Sequence, residues 1–269
     1  MVDSTFHAGH QTGDIMDTSI PYTLVVFDTE TTGVDPTVDE VCQFACIAIK
    51  STHPENIVEF ESLCDPGRHI PEEAIAKHGI PNEAVVGKPK TRNLLNEVMA
   101  ELFEFAAGTQ LILGGHNTKF DWNFLQKHVF IPDDTLSLCT LRMARVLAPN
   151  SDNHQLEHLY RNHYSLQSPR TKTAHDALCD VWMSYELLNH WLSQRPDLSI
   201  LEIADELKLP MKLETMPFGK NKGRPFSEIP YKALRWYVDQ GSAMDQDVRF
   251  TAGVWCKLWE TPAEMMARG

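Results

Sequence analysis

Leu24, Val25, Val26 and Phe27 form an unbroken apolar run, the signature of a strand buried on both faces. The run predicts a strand over 22–28, with two more over 41–50 and 56–64. DPT falls in the first turn, and HPEN separates the second strand from the third. TRNLLNEVMAELFEFAAG (91–108) places Leu94, Val98, Leu102 and Phe105 at helical spacing and stops at Gly108. A short strand, LILGG (111–115), leads into a helix from about Lys119 to Phe130. LSLC (136–139) predicts another strand, and TLRMARVL, NHQLEHLYRNH and 176–192 predict three further helices.

Three strands, a helix, and then strands alternating with helices imply an α/β protein, a mixed sheet flanked by helices. After Arg195-Pro196-Asp197 the texture changes to a short helix, SILEIADELKL, a Gly- and Lys-containing loop, FGKNKGRPF (218–226), and two Trp-containing helices. The expected organisation is a disordered extension over 1–20, an α/β domain over 21–195, and a small, mostly helical module over 196–269.

Composition narrows the class. Of 269 residues, 42% are apolar and 23% charged, ordinary for a soluble globular protein. No apolar run approaches the ~18 residues that read as a membrane span. The first 20 residues lack the basic start and apolar core of a secretory signal. Six cysteines without CxxC spacing read as reduced thiols in a cytoplasmic protein. A net charge of −13 argues against a protein that simply coats nucleic acid. The charge is segregated, however. Lys212, Lys220, Lys222, Arg224, Lys232 and Arg235 oppose only Glu214 and Glu228 over 212–236, a local +4 that leaves −17 for the rest of the chain.

Three stretches deliver carboxylates from the edges of predicted elements. In DTETTG, strand alternation sends Asp28 and Glu30 to the same side. In HNTKFD (116–121), Asp121 leads the inward face of a helix through Phe124, Leu125 and His128. In AHDALCD (174–180), Asp180 heads a row with Ser184, Leu187 and Trp191, and Asp176 serves as N-cap. A carboxylate on an apolar helix face is unusual, because unpaired buried charge is rejected. Four converging carboxylates suit hard divalent cations such as Mg²⁺ or Mn²⁺. Two such ions ~3.5–4 Å apart could serve an in-line phosphoryl displacement. A nearby histidine would take the proton from the attacking water.

DTETTG with HNTKFD and HDALCD resembles the DEDDh-type, DnaQ-like 3′–5′ exonucleases over roughly residues 22–193. The resemblance implies an RNase H-like fold, two Mg²⁺ or Mn²⁺ ions held by Asp28, Glu30, Asp121 and Asp180, and His175 as general base. It further implies that Thr31, Asn117 and Phe120 fix the terminal nucleotide. AIAKHGI (74–80), with His78, is similar to a family loop beside the substrate strand. MPFGKNKGRPFSEIPYKALRW is similar to the C-terminal extension of exodeoxyribonuclease X-type enzymes. Its local positive charge, beside glycines that let backbone amides approach, makes Lys220, Lys222 and Arg224 expected phosphate contacts, the alternative being a solvated turn between helices. The implied activity is release of 5′-mononucleotides from the 3′ ends of DNA, single-stranded or 3′-ended, with no membrane partner. The alternatives are an RNA-trimming exoribonuclease and a non-catalytic nucleic-acid-binding or polymerase-associated module.

Blander readings stand beside these. DTETTGVDPTVD has partial calcium-loop spacing, but a buried strand precedes it, Pro36 interrupts it and Asp39 occupies the last ligand position. His154, His158 and His163 fit a solvated helical face better than a zinc site. Trp236, Tyr237, Trp255 and Trp259 could stack on bases, but aromatic spacing of this kind reads first as the core of the small module.

Overall fold

The computed structural model of the chain describes residues 20–149, 151–164, 176–241 and 244–258. Strands β1 (Tyr22–Thr31), β2 (Val41–Lys50) and β3 (His53–Leu63) form an antiparallel meander. β4 (Gln110–Gly115) pairs in parallel with the other edge of β1, and β5 (Leu136–Cys139) in parallel with β4. The order is β3-β2-β1-β4-β5, with β1 central. Nine α-helices are described: α1 (Glu72–His78), α2 (Thr91–Phe105), α3 (Thr118–Leu125), α4 (Thr140–Leu147), α5 (Leu156–Tyr164), α6 (Ala177–Ser193), α7 (Ile200–Glu206), α8 (Tyr231–Asp239) and α9 (Gln246–Trp255). None of the described helices is long and apolar enough to cross a membrane.

The mixed sheet flanked by helices is as the sequence predicts; three details differ. β1 runs on to Thr31, so the DTET carboxylates lie within the strand, hydrogen-bonded to β2 up to a bulge between Glu30 and Thr31. HPEN does not separate two strands. His53 already pairs with Lys50, and the register then shifts before Ile57 meets Ile49, so the irregular residues are a bulge inside β3. α3 closes at Leu125, and hydrogen-bonded turns continue its apolar row to Val129, whose N–H donates to the Leu125 carbonyl at 3.0 Å.

By compactness the chain divides into one unit of residues up to 141 together with 153–205, and a second of 142–152 together with 206–269. The change of texture at 195–197 therefore precedes the structural division, because Ile200, Ile203 and Ala204 of α7 are buried within the first unit.

The central strand is covered on both faces. Val25 and Phe27 pack with Phe44, Leu94, Leu95, Phe124 and Leu125, from β2, α2 and α3. Leu24 and Val26 point the opposite way, toward α6. A methyl group added at Gly114 would lie 3.3 Å from Leu24, 3.4 Å from Val26 and 3.7 Å from Leu188 of α6. This double burial accounts for the unbroken apolar run, each fully buried Val, Leu or Phe contributing about 1.5–3 kcal/mol.

The second unit has its own core of Leu213, Met216, Phe226, Ile229, Leu234, Tyr237, Val248, Ala252 and Cys256. Its charged brace is Arg142. The guanidinium donates to both carboxylate oxygens of Asp247, at 2.9 and 2.8 Å, and to the carbonyls of Leu207 and Leu209. Asp247 is fully buried and also accepts from the Met211 N–H at 2.8 Å. A buried carboxylate is tolerated only with donors of this number and quality.

Candidate active site

Alternation along β1 decides which carboxylates meet. Asp28 and Glu30 continue the Leu24–Val26 row and so face α6. Asp176 caps α6, its side chain accepting from the Cys179 N–H at 3.4 Å. Asp180 follows in the first turn, where the helix dipole favours negative charge. Carboxylate oxygens of Asp28, Glu30 and Asp180 lie within 4.8 Å of one another.

Asp121 arrives from the other face of the sheet. It lies in the first turn of α3, and Thr29, between the two β1 carboxylates, points toward it. Asp121 Oδ1 accepts from the Thr29 hydroxyl at 2.6 Å and from the Thr29 N–H at 3.0 Å. The close approach of β4 and β1 at this end requires a glycine, since a Cβ at Gly115 would sit 2.7 Å from the Phe27 carbonyl oxygen. Asp121 therefore adjoins the three-carboxylate group without belonging to it by the same distance.

The four carboxyl groups are electrostatically one cluster. Burial, then the charges of Asp121, Asp180 and Glu30, hold Asp28 well above the ordinary carboxylate range. Glu30 is pushed up to about 8 by burial, then by Asp180, Asp121 and Asp176, against a small opposing pull from Lys77. Asp121 rises to about 7 through burial, opposed by the Thr29 hydrogen bonds and reinforced by Asp180. Like charges gathered in a partly buried site favour the protonated form until a cation joins them. The donor set, all hard oxygen atoms, fits a divalent cation of the Mg²⁺ or Mn²⁺ type and not a soft one.

The remaining expected residues are placed as follows. His175 lies outside the described residues. Asn117 adopts the left-handed conformation at φ 66° where β4 turns into α3, a strain that asparagine tolerates. It is exposed, and its side chain makes no capping bond. The Phe120 ring is half-buried, 5.1 Å from that of Phe124. Thr31 is buried, its hydroxyl donating to the Gly33 carbonyl at 2.6 Å. His78 closes α1, with its Nδ1 accepting from the Ile80 N–H at 3.0 Å. Lys220, Lys222 and Arg224 lie in the second unit, exposed on a loop closed by Met216–Arg224 and Gly223–Met216 backbone hydrogen bonds of 2.9 and 2.8 Å. Two residues at the site escape sequence reasoning. Thr29 was visible only as the intervening residue of D-T-E, and Lys77 lies one position before the histidine that was singled out.

A mixed sheet with acidic groups gathered at the end of its central strand has the form of an α/β nuclease. The sequence model of the exonuclease family, of RNase T type, matches residues 25–188, more than half of the chain, and the chain belongs to that family. The DNA polymerase III subunit epsilon of Aquifex aeolicus is 30% identical over 171 residues, 61% of this chain and 78% of that protein. A DNA polymerase III subunit epsilon-like protein of Rhodobacter capsulatus is 36% identical over 141 residues, 51% of this chain. The match spans only 19% of the Rhodobacter protein and 11% of a PolC-type DNA polymerase III of Latilactobacillus sakei. Among solved structures, Exonuclease X in complex with 5′ overhanging duplex DNA superposes with a TM-score of 0.52 at 24% identity, covering 68% of this chain and 98% of that one. This likeness bears out the RNase H-like fold class.

Proposed function

We propose that this chain is a divalent-metal-dependent 3′–5′ exonuclease that releases 5′-mononucleotides from DNA 3′ ends. The observation that carries the reading is the convergence of Asp28, Glu30 and Asp180 within 4.8 Å, with Asp121 beside them. Asp28, Glu30, Asp121 and Asp180 would hold two Mg²⁺ or Mn²⁺ ions, which neutralise the cluster. Such cations, when bound, supply Lewis-acid activation of the phosphate and stabilise charge on the attacking and leaving oxygens. Thr29 fixes the Asp121 carboxylate, and Asp176 sets the start of the helix that carries Asp180. His175, five residues before Asp180, takes the proton from the attacking water. Asn117, Thr31 and Phe120 are assigned to the 3′-terminal nucleotide, with His78 in the loop beside the strand and Lys220, Lys222 and Arg224 on backbone phosphates. DNA is the assigned substrate because the epsilon relatives are named as DNA polymerase subunits and the Exonuclease X neighbour holds DNA. The six free, buried cysteines support a cytoplasmic setting.

The test offers 5′-labelled DNA and RNA oligonucleotides, single- and double-stranded, to the purified protein with Mg²⁺. A ladder of DNA products shortened from the 3′ end is expected. It should vanish in EDTA and in Asp28→Ala, Asp121→Ala and Asp180→Ala variants. Cutting in EDTA, or cutting of circular single-stranded DNA, would overturn the proposal.

A further inference from the structure

The expectation that Trp236, Tyr237, Trp255 and Trp259 form the core of the second unit holds for Tyr237, 6% exposed, but not for Trp236 and Trp255, 55% and 44% exposed; Trp259 lies outside the described residues. Leu234 and Tyr237 of α8 face the core. Trp236 stands outside with Tyr231, Lys232 and Arg235, which are also exposed. A single exposed apolar residue needs no explanation. Trp236 differs because of what adjoins it. Its ring meets that of Tyr237 edge to face, with centroids 5.2 Å apart. The Tyr237 hydroxyl in turn accepts from the Asn221 amide at 3.1 Å, and Asn221 sits between Lys220 and Lys222 in the basic loop.

Two contacts thus link the exposed indole, through Tyr237, to Asn221 of the loop that carries the exposed Lys220, Lys222 and Arg224. Over 212–236 cations outnumber carboxylates by six to two. Asp239 is taken by Arg235 at 3.0 Å, and Glu214 and Glu228 are the two carboxylates of the segment. Trp255, the other exposed indole described in this unit, already has the Lys212 ammonium 5.7 Å from its ring centroid. An exposed aromatic surface linked to a loop of exposed cations is complementary to a strand that offers unpaired bases along a phosphate backbone.

We propose that Trp236 stacks a base of single-stranded DNA whose neighbouring phosphates are held by Lys220, Lys222 and Arg224. The proposal rests on the nucleic-acid reading above and deepens it, making unpaired DNA the ligand of this unit. Stacking and phosphate neutralisation leave different traces. Loss of the indole should weaken binding without changing its salt dependence. Loss of three cations should flatten the slope of log affinity against log salt by about 2.

The experiment measures affinity of the full chain for fluorescent oligo(dT), an abasic strand of equal length and a blunt duplex of equal length. EDTA is present so that nothing is cut. Trp236→Ala should lose about 5- to 150-fold on oligo(dT), and Trp236→Tyr should regain most of it. Neither change should alter the salt slope or the weaker binding of the abasic strand. The Lys220→Ala/Lys222→Ala/Arg224→Ala variant should flatten the slope on all three probes. Wild-type affinity of Trp236→Ala for oligo(dT), or an equal loss on the abasic strand, overturns the stacking role. If the triple variant still flattens the slope in that case, the nucleic-acid reading stands without it. If wild type binds none of the probes, that reading fails, and the stacking role with it.

Discussion

Filling the carboxylate cluster with Mg²⁺ should expel protons, because burial and mutual repulsion hold them on Asp28, Glu30 and Asp121. At pH 7 a group titrating near 8, as Glu30 does, holds about 0.9 of a proton, and one near 7, as Asp121 does, about 0.5. These two alone should release about 1.4 protons as the metal binds. Asp28, also pushed up, adds to that figure. Apparent Mg²⁺ affinity should then rise by at least about 25-fold per pH unit near neutrality. Calorimetric titration of the metal-free protein with Mg²⁺, in buffers of different protonation enthalpy, reads the count directly from the dependence of heat on buffer. Asp121→Asn should lower the count by more than about 0.5, because it removes one titrating group and part of the repulsion that raises Glu30 and Asp28. Heats that do not depend on buffer, or an affinity flat between pH 6 and 8.5, would refute the argument that repulsion holds protons in this site.

The same shifts set the acid–base behaviour of the fold. The native carboxyls keep protons that the unfolded chain gives up near pH 4, so the melting temperature of the metal-free protein should fall as pH rises from about 4 and level off above the values of Asp121 and Glu30, about 7 and 8. Mg²⁺ should recover most of it, and scanning calorimetry with and without EDTA checks both signs. Thr29→Val removes the 2.6 Å bond to Asp121 and should lower Mg²⁺ affinity or turnover about 10- to 100-fold, with Thr29→Ser restoring it. Arg142→Ala strands the buried Asp247 and should destabilise the second unit by about 3–5 kcal/mol, read as a lowered urea midpoint for a probe in that unit.

The parts legible in the sequence are those governed by short-range periodicity. The alternation of Asp28 and Glu30, the inward row that Asp121 leads and the cap at Asp176 all follow from repeats of two or about 3.6 residues. Periodicity does not say which face of the sheet a helix covers. It therefore gave no warning that α3 and α6 present Asp121 and Asp180 from opposite faces, or that Thr29 is the residue that reaches the former. α1 escaped because its seven residues contain too little apolar repeat to register. Trp236 was misread because Ala233, Leu234, Tyr237 and Val238 supply an apolar row to which an adjacent indole could equally belong. Only the docked helix shows which side of the row it occupies.

The site is also distributed along the chain. The β-meander by itself carries only Asp28 and Glu30. Asp121 comes after β4 has paired with β1, and Asp180 with a helix that begins nearly 150 residues after Asp28. No nascent or clipped fragment ending before β4 holds more than half of the four carboxylates. The capacity to gather cations is thus a property of the finished sheet with α6 docked on it. Competence to cut would then report that synthesis and folding of the whole first unit are complete, and a single proteolytic nick followed by strand separation would disarm it.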